Sequence, residues 1–288
     1  MIWVGVDGSE GAALALKWAV HEGELRAIPV TAVLAWDLLN QWTVVPSDTF
    51  DPAFDEHDAL DLLNGWVVQA VGPDVARHVE RRAVNDLAWR GLVNVSEGDD
   101  LLVVGARGSG GFLGLRLGSV SERCLHHAKS PIAIIRDVER DPVPTEECIL
   151  VGVDGSSTAR RALAWALDEA RARNAPVRAV TAWNTAPMAA FAGGVILDIA
   201  TFEDSARNIL TNALLQADTS GLTEPIEPVL VTGGAAGAIL DEAKEATLIV
   251  VGARGLGELK SLLLGSVSHQ VAHHAPCPVV IIPGERGD

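Results

Sequence analysis

Two glycine-rich segments carry the residues best suited to chemistry. The first runs Gly105-Ala106-Arg107-Gly108-Ser109-Gly110-Gly111 and continues to Gly118-Ser119-Val120-Ser121. The second runs Gly252-Ala253-Arg254-Gly255-Leu256-Gly257-Glu258 and continues to Gly265-Ser266-Val267-Ser268. Glycine lets a backbone turn tightly and approach a ligand with no Cβ in the way. Successive N–H groups in such a segment form a concave anion nest. The serines open a helix, whose unpaired N–H groups and partial positive charge favour a phosphate. Arg107 and Arg116 add charge to the first segment, Arg254 and Lys260 to the second. Each segment has a partner aspartate, Asp7 after Gly5-Val6 and Asp154 after Gly152-Val153. An acceptor across a crevice from phosphates suits a ribose hydroxyl or an adenine amino group. A structural reading competes with this one. Glycines after a strand are often turn punctuation, and Ser119 with Glu122 spells a capping box that needs no ligand. His269 replaces that Glu in the second segment, yet Gly265-Ser266-Val267-Ser268 persists. Capping alone does not explain the persistence, although common descent of the halves could.

The elements that must position these residues come in two copies. An offset of 147 residues separates Gly5 from Gly152, Gly105 from Gly252 and Gly118 from Gly265, and Trp18/Trp165, Trp36/Trp183 and Pro131/Pro278 obey it too. The chain is a tandem duplication, joined through a charged stretch near 137 to 147 that carries Pro142 and Pro144. In each copy the apolar period alternates between continuous runs and helical faces. Ile2 to Val6 reads as a strand buried on both faces, and Ala12, Ala15, Leu16 and Ala19 form one helix face. Further strands are expected at Val30 to Trp36, Val75 to Val84, Asp100 to Gly105 and Pro131 to Ile135. The Val75 to Val84 strand is more polar and belongs nearer an edge. Helices are expected at Asp55 to Val71, Asn85 to Ser96 and Ser119 to Ala128. This alternation predicts an α/β fold: a doubly wound, five-stranded parallel sheet in each copy, with helices on both faces. The ligand crevice of such a sheet lies at the carboxyl ends of the strands where the strand order reverses. If the first and fourth strands flank that point, Asp7 and the glycine segment meet there.

Composition narrows the partners. Lys and Arg total 22 against 38 Asp and Glu, a net charge of −16, which argues against nucleic acid and against an anionic membrane surface. Cys124, Cys148 and Cys277 form no CxxC pair and fit a reduced compartment. No signal peptide and no bilayer-spanning run is read, so no membrane insertion and a cytoplasmic location are expected. A Walker A lysine pattern and a GxSxG elbow are both missing from the sequence. His269, His273 and Cys277 resemble a metal trio, but histidines in a last helical turn more often complement the dipole, and no metal site is expected. Asp48, Asp51, Asp55, Glu56, Asp58 and Asp61 read as a solvated face at a helix start rather than a Ca²⁺ loop. The paired tryptophans read as packing residues, Trp36 and Trp183 with a place near an adenine as the alternative.

Each copy spells G-x2-G-x9-G-S, at Gly105, Gly108, Gly118 and Ser119 and at Gly252, Gly255, Gly265 and Ser266. With the Val-Gly-Val-Asp-Gly-Ser opening and the closing strands, nearly the whole chain resembles the universal stress protein family, in its tandem ATP-binding form. The resemblance implies flavodoxin-like domains at 1–137 and 148–285 joined by a linker at 138–147, with one ATP, carrying Mg, in each. It implies triphosphate contacts from Gly105, Arg107, Gly108, Ser109, Gly110, Gly111, Gly118, Ser119, Val120 and Ser121. In the second domain these are Gly252, Arg254, Gly255, Leu256, Gly257, Glu258, Gly265, Ser266, Val267 and Ser268. Adenine and ribose contacts are implied for Gly5, Asp7 and Ala35, and for Gly152, Asp154 and Ala182. Glu258 departs from the pattern, and a carboxylate there either weakens the second site or holds Mg²⁺. The implied role is a nucleotide-dependent stress regulator with little or no hydrolysis, a homodimer, and an unidentified protein partner. No residue pair stands out as base and nucleophile, so no catalytic residue is assigned. A nucleotide-dependent hydrolase or transferase and a nucleotide-free interaction scaffold remain the alternatives.

Overall fold

Apolar runs buried on both faces make the inner strands of this chain, and amphipathic helices cover them. A computed structural model describes residues 1–37, 53–98, 100–108, 117–136, 146–184, 199–255 and 264–284. The chain divides into two compact units, Met1–Glu139 and Arg140–Asp288.

The first unit contains β1 (Ile2–Gly5), α1 (Glu10–Arg26), β2 (Val30–Trp36), α2 (Glu56–Ala76), β3 (Val79–Asn85), α3 (Ala88–Val95), β4 (Leu101–Gly105), α4 (Ser119–His127) and β5 (Ile132–Ile135). The second contains β6 (Ile149–Gly152), α5 (Ser157–Arg173), β7 (Val177–Trp183), α6 (Ile199–Gln216), β8 (Glu227–Thr232), α7 (Ala235–Glu242), β9 (Leu248–Gly252), α8 (Ser266–His274) and β10 (Val279–Ile282). Within the first unit the strand order is β3-β2-β1-β4-β5, and within the second β8-β7-β6-β9-β10. All these pairings are parallel; β1 registers Ile2 against Val30 of β2 and against Leu101 of β4. The order reverses beside β1 and β6, so each unit has one crevice between the ends of its first and fourth strands. α1 and α2 pack together, and α3 packs with α4.

The helix face read from the sequence is the buried one: Ala12, Ala15, Leu16 and Ala19 of α1, and Ala159, Ala162, Leu163 and Ala166 of α5. Ser9 and Ser156 cap these helices, each side chain accepting the N–H of the residue three further on. Both helices end on a left-handed residue, Ala27 (φ 51°) and Asn174 (φ 53°). β3 is the terminal strand of its sheet and alternates buried and exposed positions, as its polar sequence predicts.

The boundaries depart most from the sequence reading at two places. The third strand starts at Val79, not Val75. Gly72 (φ 79°, ψ 161°) breaks α2, and Pro73 then restarts it for one turn through Ala76. Proline has a preset helical φ and is tolerated in a first turn, which recaptures residues otherwise suited to a strand. The third helix spans Ala88–Val95 rather than Asn85 to Ser96, because Asn85 stays in register with Trp36 on β2.

Candidate functional site

The crevice of the first unit is built on the turn from β1 to α1. The Asp7 carboxylate is fixed by that turn, its Oδ1 accepting the Ser9 N–H at 3.1 Å and the Ser9 hydroxyl at 2.6 Å. The Ser9 Oγ in turn accepts the Ala12 N–H at 3.1 Å. The other carboxylate oxygen lies over the glycine segment, since a methyl added at Gly108 would sit 2.5 Å from Asp7 Oδ2. The second unit repeats the arrangement: Asp154 Oδ1 accepts the Ser156 N–H at 2.9 Å, and a methyl at Gly255 would sit 2.5 Å from Asp154 Oδ2. Asp7 and Gly108, far apart in sequence, therefore face each other, as do Asp154 and Gly255.

The base of the glycine segment is a closed loop. Ala106 donates its N–H to Ile135 O at 2.6 Å, and its own carbonyl accepts the Gly118 N–H at 2.7 Å. Ala253 does the same between Ile282 O and the Gly265 N–H, both at 2.7 Å. The first unit's spacing leaves room only for glycine where β4 meets α1: a methyl at Gly105 would lie 2.6 Å from the Gly11 carbonyl, and one at Gly11 would lie 2.2 Å from Arg107 O. The second unit carries Thr158 where the first has Gly11, and the Thr158 hydroxyl donates to Arg254 O.

The helix that follows begins without a side-chain cap. Gly118 (φ −79°, ψ 159°) is the N-cap of α4 and Gly265 (φ −85°, ψ 161°) the N-cap of α8, and neither helix has a side-chain cap hydrogen bond. The Ser119–Glu122 capping box is not formed. Ser119 is an exposed first helical residue, and Glu122 instead lies 3.2 Å from His126. Ser121 and Ser268 are buried, and their hydroxyls fasten the helix to the strand end, Ser121 to Gly105 O at 2.6 Å and Ser268 to Ala253 O at 2.7 Å. Their backbone N–H groups, with those of Ser119, Val120, Ser266 and Val267, belong to the first turn, where intrahelical acceptors are missing.

The remaining candidates fall in different surroundings. A methyl added at Gly5 would lie 2.9 Å from Leu92 of α3, and one added at Gly152 would lie 3.0 Å from Ile239 of α7. Ala35 and Ala182 are half-buried near the ends of β2 and β7, and Ala35 meets Gly91 of α3. Trp36 is buried edge-on to Phe54, with ring centroids 5.4 Å apart, whereas Trp183 is half-buried. Arg107 is exposed; the Arg254 guanidinium lies against Gly284, beside Pro283, whose carbonyl accepts from Arg161 at 2.7 Å. Ser109, Gly110, Gly111, Arg116, Leu256, Gly257, Glu258 and Lys260 lie outside the described residues, as do Asp48 and Asp51. Asp55 and Asp58 form a reciprocal cap at the start of α2. Among the described residues, His269, His273 and Cys277 do not converge as a ligand set.

Sequence reasoning passed over two features. Glu22 and Glu169 are fully buried at the far ends of α1 and α5, paired one turn on with Arg26 (3.3 Å) and Arg173. Their common spacing of 147 was the available signal. Burial lowers the Arg173 guanidinium to about 10. The other is Trp66 of α2, which stacks on Gly8 beside Asp7 and has no counterpart tryptophan.

Known proteins share this pattern. The family model described as the universal stress protein family matches residues 1–136 and again 147–283. A universal stress protein of Mycobacterium tuberculosis is 35% identical over 289 residues, covering 97% of this chain and 95% of its own. One from Mycobacterium bovis is 31% identical, with 96% and 95% covered. Among solved structures, a universal stress protein from Archaeoglobus fulgidus superposes with a TM-score of 0.61 at 21% identity, covering 98% of this chain and 97% of that one.

Proposed function

Because this chain belongs to the universal stress protein family, as two tandem flavodoxin-like domains, we propose that it is an ATP-binding regulator with one nucleotide site per domain. The observation that carries the reading is the same in both halves. An aspartate held by its own turn faces a glycine whose missing Cβ leaves its place to a carboxylate oxygen, beside a helix start with no side-chain cap. A triphosphate fits the second feature, because first-turn N–H groups and the helix dipole favour an anion. A ribose or adenine donor fits the first. ATP brings its own Mg²⁺, which neutralises the phosphates in a protein of net charge −16.

Gly105, Gly108, Gly118 and the N–H groups of Ser119, Val120 and Ser121 hold the phosphates in the first domain. Gly252, Gly255, Gly265, Ser266, Val267 and Ser268 do so in the second. The Ser121 and Ser268 hydroxyls stay on their carbonyls and order the helix start. Asp7 and Asp154, together with Ala35 and Ala182, take the nucleoside. Arg107 supplies the nearby charge, and Arg254 does so by leaving the Pro283-Gly284 segment. Ser109, Gly110 and Gly111, and in the second domain Leu256, Gly257 and Glu258, are proposed to add further phosphate contacts.

In this reading nucleotide is a signal rather than a consumed substrate. Binding stabilises whichever conformer holds it, by mass action, and so biases the surface offered to a protein partner or a second copy of the chain. Among the described residues no helix is long and apolar enough to cross a membrane, and the proposed setting is the cytoplasm. The test is the nucleotide released on denaturing freshly purified protein, separated by chromatography. One ATP per domain is the expected result. Mostly ADP would favour the hydrolase reading, and no release together with no uptake of Mg-ATP would leave the scaffold.

A further inference from the structure

The turn that presents the aspartate is braced differently in the two domains, by residues outside both glycine segments. In the first domain Gly8 stands at φ 80°. The Trp66 indole occupies the place of its missing side chain: a methyl there would lie 2.6 Å from Cε2 and 2.9 Å from Nε1. At the spacing of the repeat, the counterpart of Trp66 is Ala213. In the second domain Gly155 stands at φ 85°, and Arg160 of α5 donates from Nη1 to its carbonyl at 2.8 Å. The counterpart of Arg160 is Ala13. One turn is pressed by a ring and the other is tied by a guanidinium.

We infer that Trp66 is a positioning residue for the nucleoside end of the first domain's site, and that Arg160 serves the same turn in the second. The inference rests on the nucleotide reading above. Gly8 lies between Asp7 and Ser9, so its dihedral angles aim the Ser9 N–H and hydroxyl at Asp7 Oδ1. Glycine populates both signs of φ about equally when nothing restrains it. A flat ring packed on Gly8 selects the left-handed state and so keeps the Asp7 carboxylate over Gly108. The phosphate end is built from other parts, the Ala106–Gly118 closure and the start of α4. Removing the ring should therefore loosen the nucleoside end alone.

The experiment pairs amide exchange of the nucleotide-free full chain with titration by ATP and by inorganic triphosphate. In Trp66→Ala the Ser9 amide should exchange roughly tenfold faster, with Ser156 unchanged. ATP affinity should fall roughly tenfold at one of the two sites, with triphosphate affinity unchanged and both effects restored in Trp66→Phe. Arg160→Ala should move Ser156 and the other ATP site instead. Unchanged Ser9 exchange in Trp66→Ala overturns the inference. So does a parallel fall of ATP and triphosphate binding at both sites, which marks general loosening of the fold. A wild-type chain that takes up no nucleotide defeats the preceding section's reading, and the exchange comparison still decides whether Trp66 and Arg160 hold their turns.

Discussion

Substituting Gly108 by Ala puts the proposed site to a steric test. Gly108 is not in the left-handed region, so alanine costs nothing in the backbone there. The new methyl would sit 2.5 Å from Asp7 Oδ2. Ordinary carbon–oxygen contacts begin at about 3.3 Å, so the carboxylate must retreat by about 0.8 Å. It cannot do so freely, because its other oxygen is held by the Ser9 N–H at 3.1 Å and the Ser9 hydroxyl at 2.6 Å. Either one of those bonds is lost or the carboxylate leaves the crevice. A hydrogen bond to a charged group is worth about 1.5–3 kcal/mol, and the half-buried setting of Asp7 puts it near the lower end. A carboxylate that leaves the crevice loses its bond to the nucleoside, so the expected loss at the first domain's site is about 2 kcal/mol, roughly thirtyfold in Kd. Folded stability should stay within about 1 kcal/mol of wild type, since alanine also restrains the unfolded chain. Calorimetric titration with Mg-ATP reads the affinity, and a cycle with Asp7→Ala reads the cause. If both changes act through the same carboxylate, Gly108→Ala adds little in the Asp7→Ala background. Undiminished ATP affinity in Gly108→Ala, or full additivity with Asp7→Ala, would refute the reasoning. Gly255→Ala with Asp154→Ala repeats the test in the second domain.

Three further expectations concern stability and reactivity. Gly11→Ala places a methyl 2.2 Å from Arg107 O, and overpacking of that kind should cost about 1–3 kcal/mol in urea unfolding; a neutral result would mean that α1 moves away from β4 at little cost. Ala27 holds a left-handed conformation that glycine adopts without penalty, so Ala27→Gly should raise stability by about 1 kcal/mol, and a loss in the same assay would count against the left-handed cap. Burial pushes the Cys124 thiol up to about 12, so at pH 8 only about one in 10,000 molecules carries its thiolate. A disulfide reagent at that pH should label Cys124 only after denaturation, and prompt labelling of the folded chain would contradict its burial.

Features within one element were legible in the sequence. The helix face Ala12-Ala15-Leu16-Ala19 and the strand run Ile2 to Val6 are local periodicities, and the structure buries both. The apolar run of β1 and the polarity of β3 also foretold that the first lies inside the sheet and the second at an edge. Local pattern was less reliable where two local rules compete. Gly72 ends a helix and Pro73 restarts one, so a stretch beginning at Val75 joined α2 instead of β3. Ser119 and Glu122 have the spacing of a capping box, yet Gly118 is tied to Ala106 and becomes the cap residue itself.

The sequence by itself determined the duplication, the α/β alternation and the pairing of a glycine segment with an aspartate in each half, because each of these is a spacing or a periodicity along the chain. Only the tertiary structure decided what those residues touch. It set Asp7 over Gly108, committed the Ser121 hydroxyl to Gly105 O, closed Gly5 with Leu92 and laid Trp66 on Gly8. Those contacts join elements tens of residues apart, and their geometry follows from parallel strand order and helix packing, which no local pattern encodes.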